Sequence, residues 1–200
     1  MDYLIYNLSE LSERHADYGL LSPEERKTAR QRGLRYALIR TLLRQELARR
    51  TGCAPDKISF DYGPKGKPIC NGQEFNISHS ADCLCMAFHQ NAVGVDVERM
   101  KPRQYHLLAE RFMCPVQLDA FLQRDCPQEE FYACWCTAEA LVKLHGDTMW
   151  NARSYPFVYR NGCMECLFSP APIIRLFFPM PGYCGAVAYI DSSLCPCTSN

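Results

Sequence analysis

The chain has 200 residues, enough for one domain or two small lobes around a sizeable core. Apolar residues make up 48% of it and charged residues 22%, which argues against a disordered or fibrous protein. Lysine plus arginine and aspartate plus glutamate number 22 each, and this neutral balance argues against a general binder of nucleic acids or membrane surfaces. No apolar run reaches the roughly 18–20 residues of a membrane span, and the first residues lack a charged leader and a cleavage site. We therefore expect a cytoplasmic protein.

Thirteen cysteines are a large and odd number for such a chain. Secreted disulfide scaffolds are usually shorter and carry an even number, so the sequence favours reduced thiols in a reducing compartment. Four cysteines lie inside apolar stretches, where a thiol behaves as a small hydrophobic side chain: Cys83, Cys85, Cys134 and Cys136. A zinc site is the alternative, built from Cys163, Cys166, Cys195 and Cys197, although only the first two have the spacing of a zinc knuckle.

Residues 22–50 carry the signals of one long helix. Ser22, Pro23 and Glu25 offer an N-cap, a first-turn proline and a capping box, and Gly52 offers a C-terminal stop. Leucines recur with the spacing of a buried helical stripe: Leu34, Leu38, Leu42, Leu43 and Leu47. Residues 61–68 then read as a turn-rich loop.

The rest of the chain mixes strands and helices. Two short apolar runs, 83–88 and 92–98, are separated by three residues and predict a β-hairpin. A proline-interrupted helical stretch at 104–122 and a second strong helix at 131–144 follow. Antiparallel strands are expected between the proline and glycine turns of the last part: 157–159, 173–178 and 186–190. Without regular alternation of strands and helices, the pattern indicates an α+β fold.

The pentapeptide from Gly94 to Glu98 is the most informative segment. Alternate side chains of a strand share a face, so Asp96 and Glu98 project together while Val95 and Val97 face the core. Two adjacent carboxylates repel each other unless solvent screens them or a cation lies between them. Mg²⁺ suits such oxygen ligands, commonly with phosphates and waters as the remaining ligands. The alternative is the solvated outer face of an edge strand.

A third acid lies on the predicted helix at 131–144. Trp135, Glu139 and Lys143 are four residues apart and therefore share one helix face. If this face meets the strand, Glu139 completes a metal site and Lys143 neutralises phosphate oxygens. The alternative is a surface ion pair between Glu139 and Lys143.

Further candidates for binding an anion lie in the first half of the chain. Ser78 and His79 are expected in a turn after a short strand, where their side chains can donate to an anion, although a histidine in a turn is more often structural or solvated. Lys67 and Arg40 are two further cations that could reach a polyphosphate.

Taken in order, four motifs resemble those of the 4′-phosphopantetheinyl transferase superfamily. They are Gly66-Lys67-Pro68, Asn76-Ile-Ser-His-Ser80, Gly94-Val-Asp-Val-Glu98 and Trp135-x-x-x-Glu139-Ala-x-x-Lys143. The resemblance is to the larger, surfactin-synthetase-activating class rather than to the short trimeric holo-acyl-carrier-protein synthases. It covers about residues 20–190, and the ordered set is more specific than any single motif.

The resemblance implies a monomer of two similar α+β lobes, residues 1–100 and 101–200, related by pseudo-twofold symmetry. Coenzyme A and Mg²⁺ would lie in the cleft between the lobes. The family reaction moves the 4′-phosphopantetheine arm of coenzyme A onto a serine of an apo carrier protein and releases adenosine 3′,5′-bisphosphate.

The resemblance also implies roles for single residues. Asp96, Glu98 and Glu139 would hold Mg²⁺, and Asp96, Glu139 and Lys143 would be catalytic, with Glu139 a candidate for activating the carrier serine. A further set would bind the phosphates of coenzyme A: Arg40, Lys67, Ser78, His79 and Lys143.

The chain departs from the family pattern at two positions. Ala138 stands where the family usually has a lysine before the glutamate, and Gln117 stands where a related segment normally ends in a glutamate that is sometimes considered the base. Both departures weaken the acid–base part of the resemblance and leave the metal part intact. They favour, as an alternative function, a catalytically weak module that binds coenzyme A or a carrier protein. A zinc-binding interaction protein is a third alternative, suggested by the cysteines.

Residues 99–113 are a candidate docking surface for an acidic carrier protein. The stretch combines basic side chains with the apolar Leu107, Leu108, Phe112 and Met113, and methionine and phenylalanine adapt well to shallow partner surfaces. The alternative is an ordinary amphipathic helix that packs on its own core.

Overall fold

The structure, a computed structural model, describes residues 1–63, 66–70, 72–123, 127–160 and 163–191. Its α-helices are Pro23–Arg32 (α1), Leu34–Thr51 (α2), Tyr105–Phe112 (α3), Pro115–Leu122 (α4) and Pro127–Leu144 (α5). The strands of its first half are Asp2–Asn7 (β1), Asp61–Tyr62 (β2), Pro68–Ile69 (β3), Glu74–Ser80 (β4), Cys83–His89 (β5) and Val93–Arg99 (β6). Those of its second half are Phe157–Arg160 (β7), Cys163–Cys166 (β8), Ile173–Phe177 (β9) and Tyr183–Tyr189 (β10).

Two three-stranded antiparallel sheets organise these elements. The first has the strand order β1-β5-β4 and the second the order β6-β10-β9, while β2 with β3 and β7 with β8 form two short ribbons. The predicted α+β fold class is therefore confirmed. The strands expected in the last part of the chain are present, and the predicted long helix at 131–144 is α5.

The prediction of one helix over residues 22–50 is wrong, because the chain breaks at Gly33. This glycine has φ +80° and ψ −171°, a conformation that other residues rarely adopt, and its N–H caps α1 on the carbonyl of Ala29. The predicted ends are correct: Ser22 and Glu25 form a capping box, and Gly52 ends α2 in the left-handed conformation.

The predicted hairpin between β5 and β6 is also wrong. Both strands form close to where they were expected, but β5 pairs with β1 and β4, whereas β6 pairs with β10. The reason is that each strand has a mainly apolar face. Cys85 and Ala87 of β5 share one buried cluster with Val95 and Val97 of β6, so burial between two sheets replaces edge-to-edge pairing.

Three apolar clusters define the order of the layers. Leu43 and Leu47 of α2 pack against Phe75 of the first sheet. The two sheets enclose a second cluster between them, and α5 packs on the second sheet through Leu141 and its neighbours. Of the predicted leucine stripe, Leu34 is 38% exposed. The four cysteines predicted to act as small apolar side chains are buried, as expected: Cys83, Cys85, Cys134 and Cys136.

Each three-stranded sheet thus carries one long helix, but the boundary at residue 100 and a pseudo-twofold relation between the halves stay predictions. Strand β6 precedes that boundary and nevertheless pairs with β10 of the second half. Within the described residues, no helix has the length and apolar character needed to cross a bilayer.

Candidate functional site

The site forms where α5 crosses β6, and Gly94 makes that crossing possible. A Cβ atom on Gly94 would lie 2.0 Å from the carbonyl oxygen of Ala140 and 2.4 Å from the backbone nitrogen of Leu144. No side chain fits there, so the helix backbone lies directly on the strand. This close approach brings residues 139 and 143 of the helix to the polar side of β6.

Asp96 is the central acid of the site and is only 3% exposed. Its Oδ1 accepts a hydrogen bond from Ser78 Oγ at 2.7 Å and a charge-assisted one from Lys143 Nζ, also at 2.7 Å. Val95 and Val97 lie in the core between the sheets, as the alternation predicts. Because Asp96 is buried and paired, the alternative of a solvated outer strand face is wrong for this residue.

Lys143 connects the acids of the strand with the acid of the helix. Its Nζ lies 2.7 Å from Asp96 Oδ1 and 3.9 Å from Glu139 Oε2. Burial alone would lower the pKa of Lys143, but the nearby carboxylates of Asp96 and Glu139 outweigh burial and raise it. The ammonium is therefore fully charged at neutral pH. The pair of Glu139 and Lys143 thus exists, but both side chains are partly buried and belong to the cluster around Asp96 rather than to an isolated surface ion pair.

The other two acids resist ionisation. Burial, together with the charges of the neighbouring carboxylates, raises the pKa values of both Glu98 and Glu139. Lys143 counteracts this effect at both residues, and the hydrogen bond from Ser80 does so at Glu98. Three carboxylates lie around the single ammonium of Lys143, with Arg103 as a further positive charge acting on Glu98. A divalent cation would relieve the repulsion between the ionised carboxylates.

The chemistry of these residues suits a divalent cation such as Mg²⁺. Asp96 Oδ2 is buried and makes no hydrogen bond within the described structure, which is costly for a carboxylate oxygen. The donor set consists of carboxylate oxygens, the ligands that Mg²⁺ prefers. Among the described residues, no three ligand side chains already form a metal-binding group; the Lys143 ammonium contacts both Asp96 and Glu139 instead. The residues fit the ion chemically, although the ligand cluster is not preformed.

One polar face of β4 lies along β6 and was only partly predicted. Ser78 and Ser80 lie within a seven-residue strand, so the expected turn is wrong. Asn76 Oδ1 accepts from the N–H of Val95 at 2.9 Å, and Ser80 Oγ donates to Glu98 Oε2 at 2.7 Å. Asn76 and Ser80 belong to a motif of the family resemblance but were not predicted as site residues. The alternation of polar residues at 76, 78 and 80 beside that at 96 and 98 was the available signal.

His79 lies on the same strand as Ser78 but on the opposite face. It is exposed, as the alternative for this residue suggested. Partial burial of the ring and the positive charges of Arg35 and Lys143 lower its pKa, so the imidazole is mostly neutral at pH 7.

Lys67 lies beside the C-terminal end of α5. Its Nζ donates to Glu74 Oε2 at 2.9 Å. Both side chains line a cavity of about 310 Å³ that also touches Ala92 and residues 144–146. Lys67 is therefore near the helix that carries Lys143, although no contact joins the two lysines within the described contacts.

Arg40 is engaged elsewhere. Its Nε donates to Glu25 Oε1 at 2.6 Å, and its guanidinium lies 4.5 Å from the ring centre of Phe60. Glu25 also accepts from Arg44 at 2.6 Å, so this buried cluster ties α1 to α2. The structure brings together Asp96, Glu139, Lys143 and Ser78, with Glu98 next to them, but it places Arg40 in this separate ion-pair cluster.

A second, smaller cavity of about 120 Å³ opens beside Glu98. Its walls are mainly aromatic, including Trp135 and Tyr132, and Arg103 lies at its edge. The buried Tyr132 hydroxyl accepts from Arg103 Nε at 3.1 Å, which fixes this cation close to the acids.

The two departures from the family pattern have structural explanations. Gln117 lies at the start of α4, where its Oε1 accepts from the N–H of Cys114 at 3.0 Å in a capping box. It packs beside Glu130 and Cys134 of α5, on the side of the helix away from Glu139. Ala138 is buried in the core. In this structure Gln117 is thus a capping residue outside the site.

The candidate docking surface is smaller than predicted. Phe112 and Met113 are 3% and 2% exposed and belong to the core, so for them the amphipathic-helix alternative holds. The exposed basic and apolar side chains of the segment include Arg99, Lys101, Arg103, Leu107 and Arg111, and the acidic Glu110 is exposed among them.

The zinc alternative receives no support from the described half of its ligands. Cys163 and Cys166 are the first and last residues of β8, and the Cys166 thiol lies 3.9 Å from the carbonyl oxygen of Pro172. Cys195 and Cys197 lie outside the described residues.

Comparisons with known proteins point in one direction. A family model described as the 4′-phosphopantetheinyl transferase superfamily matches residues 92–160, which include β6 and α5. The 4′-phosphopantetheinyl transferase ffp of Bacillus subtilis is 31% identical over 72% of this chain and 69% of its own length. The transferase Sfp of Bacillus subtilis strain 168 is 29% identical over the same shares. The transferase HetI of Nostoc sp. is 34% identical over 56% of this chain.

The extent of these matches differs between relatives. The chain spans about half the length of HetI and of several other transferases that it matches.

Proposed function

Because the chain belongs to the 4′-phosphopantetheinyl transferase superfamily, we propose that it transfers the 4′-phosphopantetheine arm of coenzyme A to a serine of an apo carrier protein. The proposed reaction depends on Mg²⁺ and releases adenosine 3′,5′-bisphosphate. The observation that carries the proposal is that Asp96 of β6 and Glu139 of the distant helix α5 both lie within 3.9 Å of the Lys143 ammonium nitrogen. We also propose that the protein acts as a monomer in the cytoplasm.

Phosphoryl transfer requires a protein mainly to position the reactants and to neutralise charge. Asp96, Glu98 and Glu139 would hold Mg²⁺, and the orphaned Asp96 Oδ2 supports this assignment. When bound, the ion would act as a Lewis acid on the pyrophosphate. Lys143 would move towards the phosphate oxygens and neutralise part of their charge. Ser78, whose hydroxyl lies 3.3 Å from Lys143 Nζ, would bind the same phosphates.

Glu139 is the proposed base for the carrier serine. Its raised pKa, caused by burial and by the neighbouring acids, brings its basicity closer to that needed at neutral pH. The serine oxygen would form a bond to the phosphorus that carries pantetheine, and its proton would pass to the Glu139 carboxylate. The bridging P–O bond of the pyrophosphate breaks, and adenosine 3′,5′-bisphosphate leaves with the electron pair.

The remaining coenzyme A contacts are also proposals. Lys67, beside the end of α5, and His79, on the exposed face of β4, are assigned to its phosphates, as is Arg40. Arg40 would have to release its ion pair with Glu25 for this role. The exposed basic side chains of residues 99–111 are assigned to an acidic carrier protein.

A mass-shift assay tests the proposal. Apo carrier protein is incubated with coenzyme A, Mg²⁺ and the wild type, Asp96→Ala, Glu139→Ala or, as a control, the exposed Glu13→Ala. We expect the phosphopantetheine mass with the wild type and the control, and a loss of about 100-fold or more in rate with either site variant.

Two results would contradict the proposal. Full activity of both site variants would reject the site. Coenzyme A binding by the wild type without any mass shift on the carriers tested would favour the alternative of a catalytically weak binding module.

A further inference from the structure

Strands β4 and β6 are joined by side chains where two sheet edges meet. The two strands belong to different sheets, yet Ser78 and Ser80 each donate to an acid of β6 at 2.7 Å. The two bonds are two residues apart on both strands, which matches the side-chain period of a strand. Ser80 therefore stands to Glu98 as Ser78 stands to Asp96.

The direction of the Ser80 hydrogen bond is fixed by a second contact. The backbone N–H of Arg99 donates to Ser80 Oγ at 3.1 Å. A hydroxyl has one proton to donate, and with an N–H already on its oxygen, that proton points to Glu98 Oε2. The serine thus holds one oxygen of the carboxylate and leaves the other for a ligand.

We propose that Ser80 is a positioning residue that orients Glu98 for a divalent cation. It acts through the carboxylate and does not touch the substrate. The inference rests on the proposed function insofar as Glu98 is taken as a ligand of the metal. Partners that orient metal ligands in this way are worth about 10-fold to 100-fold in metal affinity.

The test compares Ser80→Ala with Ser80→Thr, which keeps the hydroxyl and suits a strand. Mn²⁺ binding to the full chain is measured by electron paramagnetic resonance. We expect the Kd for Mn²⁺ to rise about 10-fold or more in Ser80→Ala and to stay close to wild type in Ser80→Thr. In the transfer assay, Ser80→Ala should need more Mg²⁺ for half-maximal rate and should recover most of its kcat at saturating Mg²⁺.

A matched control removes a hydroxyl-to-carboxylate hydrogen bond away from the site. Tyr6→Phe deletes the bond of 2.9 Å from the Tyr6 hydroxyl to the buried Glu46, and it should leave the Kd for Mn²⁺ unchanged. If the Kd for Mn²⁺ also rises in Tyr6→Phe, the effect of Ser80→Ala is explained by a general loss of stability, and the proposal is overturned.

Failure of the proposal and failure of the proposed function give different results. An active wild type whose Kd for Mn²⁺ does not change in Ser80→Ala overturns the role of the serine alone. If the wild type transfers nothing, while Ser80→Ala binds Mn²⁺ more weakly than the wild type and Ser80→Thr does not, the proposed function is rejected and the role of Ser80 is supported. A wild type that binds no Mn²⁺ overturns the role as well.

Discussion

Replacing Gly94 by alanine should separate α5 from β6 and thereby disable the site. The added Cβ would lie 2.0 Å from a backbone oxygen of the helix and 2.4 Å from a backbone nitrogen, and neither atom can move away by rotating a side chain. Cβ contacts below 3.0 Å essentially never occur, so helix and strand must move apart by about 1 Å.

The size of the effect follows from this displacement. Overpacking of a core costs about 1–3 kcal/mol, and at about 2–4 °C per kcal/mol in a chain of this length, the upper value corresponds to about 6–12 °C in Tm. The bond from Lys143 Nζ to Asp96 is 2.7 Å long. An additional 1 Å would break it, and misplacement by about 1 Å can reduce a reaction rate about 100-fold.

Gly185→Ala is the matched control, since Gly185 lies on the neighbouring strand β10. There the added Cβ would meet the ring of Phe177 at 2.4 Å, which is a side chain of the layer between the sheets. We expect both variants to lose Tm in thermal unfolding, but only Gly94→Ala to lose transfer rate per folded molecule. Wild-type Tm and rate in Gly94→Ala would refute the reasoning, as would equal rate losses in both variants.

Three further substitutions probe the charges. Burial raises the pKa of Glu139 above its ordinary 4.5, so the metal-free fold loses stability as the pH rises through that raised value. In urea unfolding, Glu139→Gln should therefore stabilise the metal-free fold more at pH 8 than at pH 5. An equal effect at both pH values would contradict this. Lys143→Met leaves Asp96 buried without its counter-ion and should lower the free energy of unfolding by about 3 kcal/mol at pH 7. Excess Mg²⁺ should restore part of this loss, and no recovery would argue against cation binding at Asp96. Arg44→Met removes a buried partner of Glu25 and should also lower the free energy of unfolding by about 3 kcal/mol. It should leave the Kd for Mn²⁺ unchanged, and a higher Kd would link this ion pair to the site.

The local parts of the site could be predicted from the sequence. Strand alternation placed Asp96 and Glu98 on one face, and helical spacing placed Glu139 and Lys143 together. Both rules use only neighbouring residues, and the structure agrees with both: the two acids of β6 each accept a hydrogen bond from a serine of β4, and the two helix residues lie within 3.9 Å of each other. That strand and helix would meet came from the family resemblance, because no local pattern indicates which distant elements pack together.

The errors have the same physical origin. A glycine within a helical pattern is tolerated, so nothing local showed that Gly33 would break the helix. The two helices on either side of it are joined by the ion pairs of Glu25 with Arg40 and Arg44. These pairs are tertiary contacts, which a local pattern does not reveal. The short connection between β5 and β6 favoured a hairpin, but the apolar faces of both strands are buried between two sheets. In each case long-range burial or pairing overrides a local preference.

The Lys143 ammonium beside Asp96 is a positive charge that the chain itself supplies. Small zinc domains remain unfolded until they bind their metal, since no other group neutralises the charge of their ligands. Here Lys143 is attached to the chain and already balances the most buried carboxylate. We therefore expect the chain to fold without the proposed Mg²⁺, so that a chelator should abolish transfer and leave the protein folded.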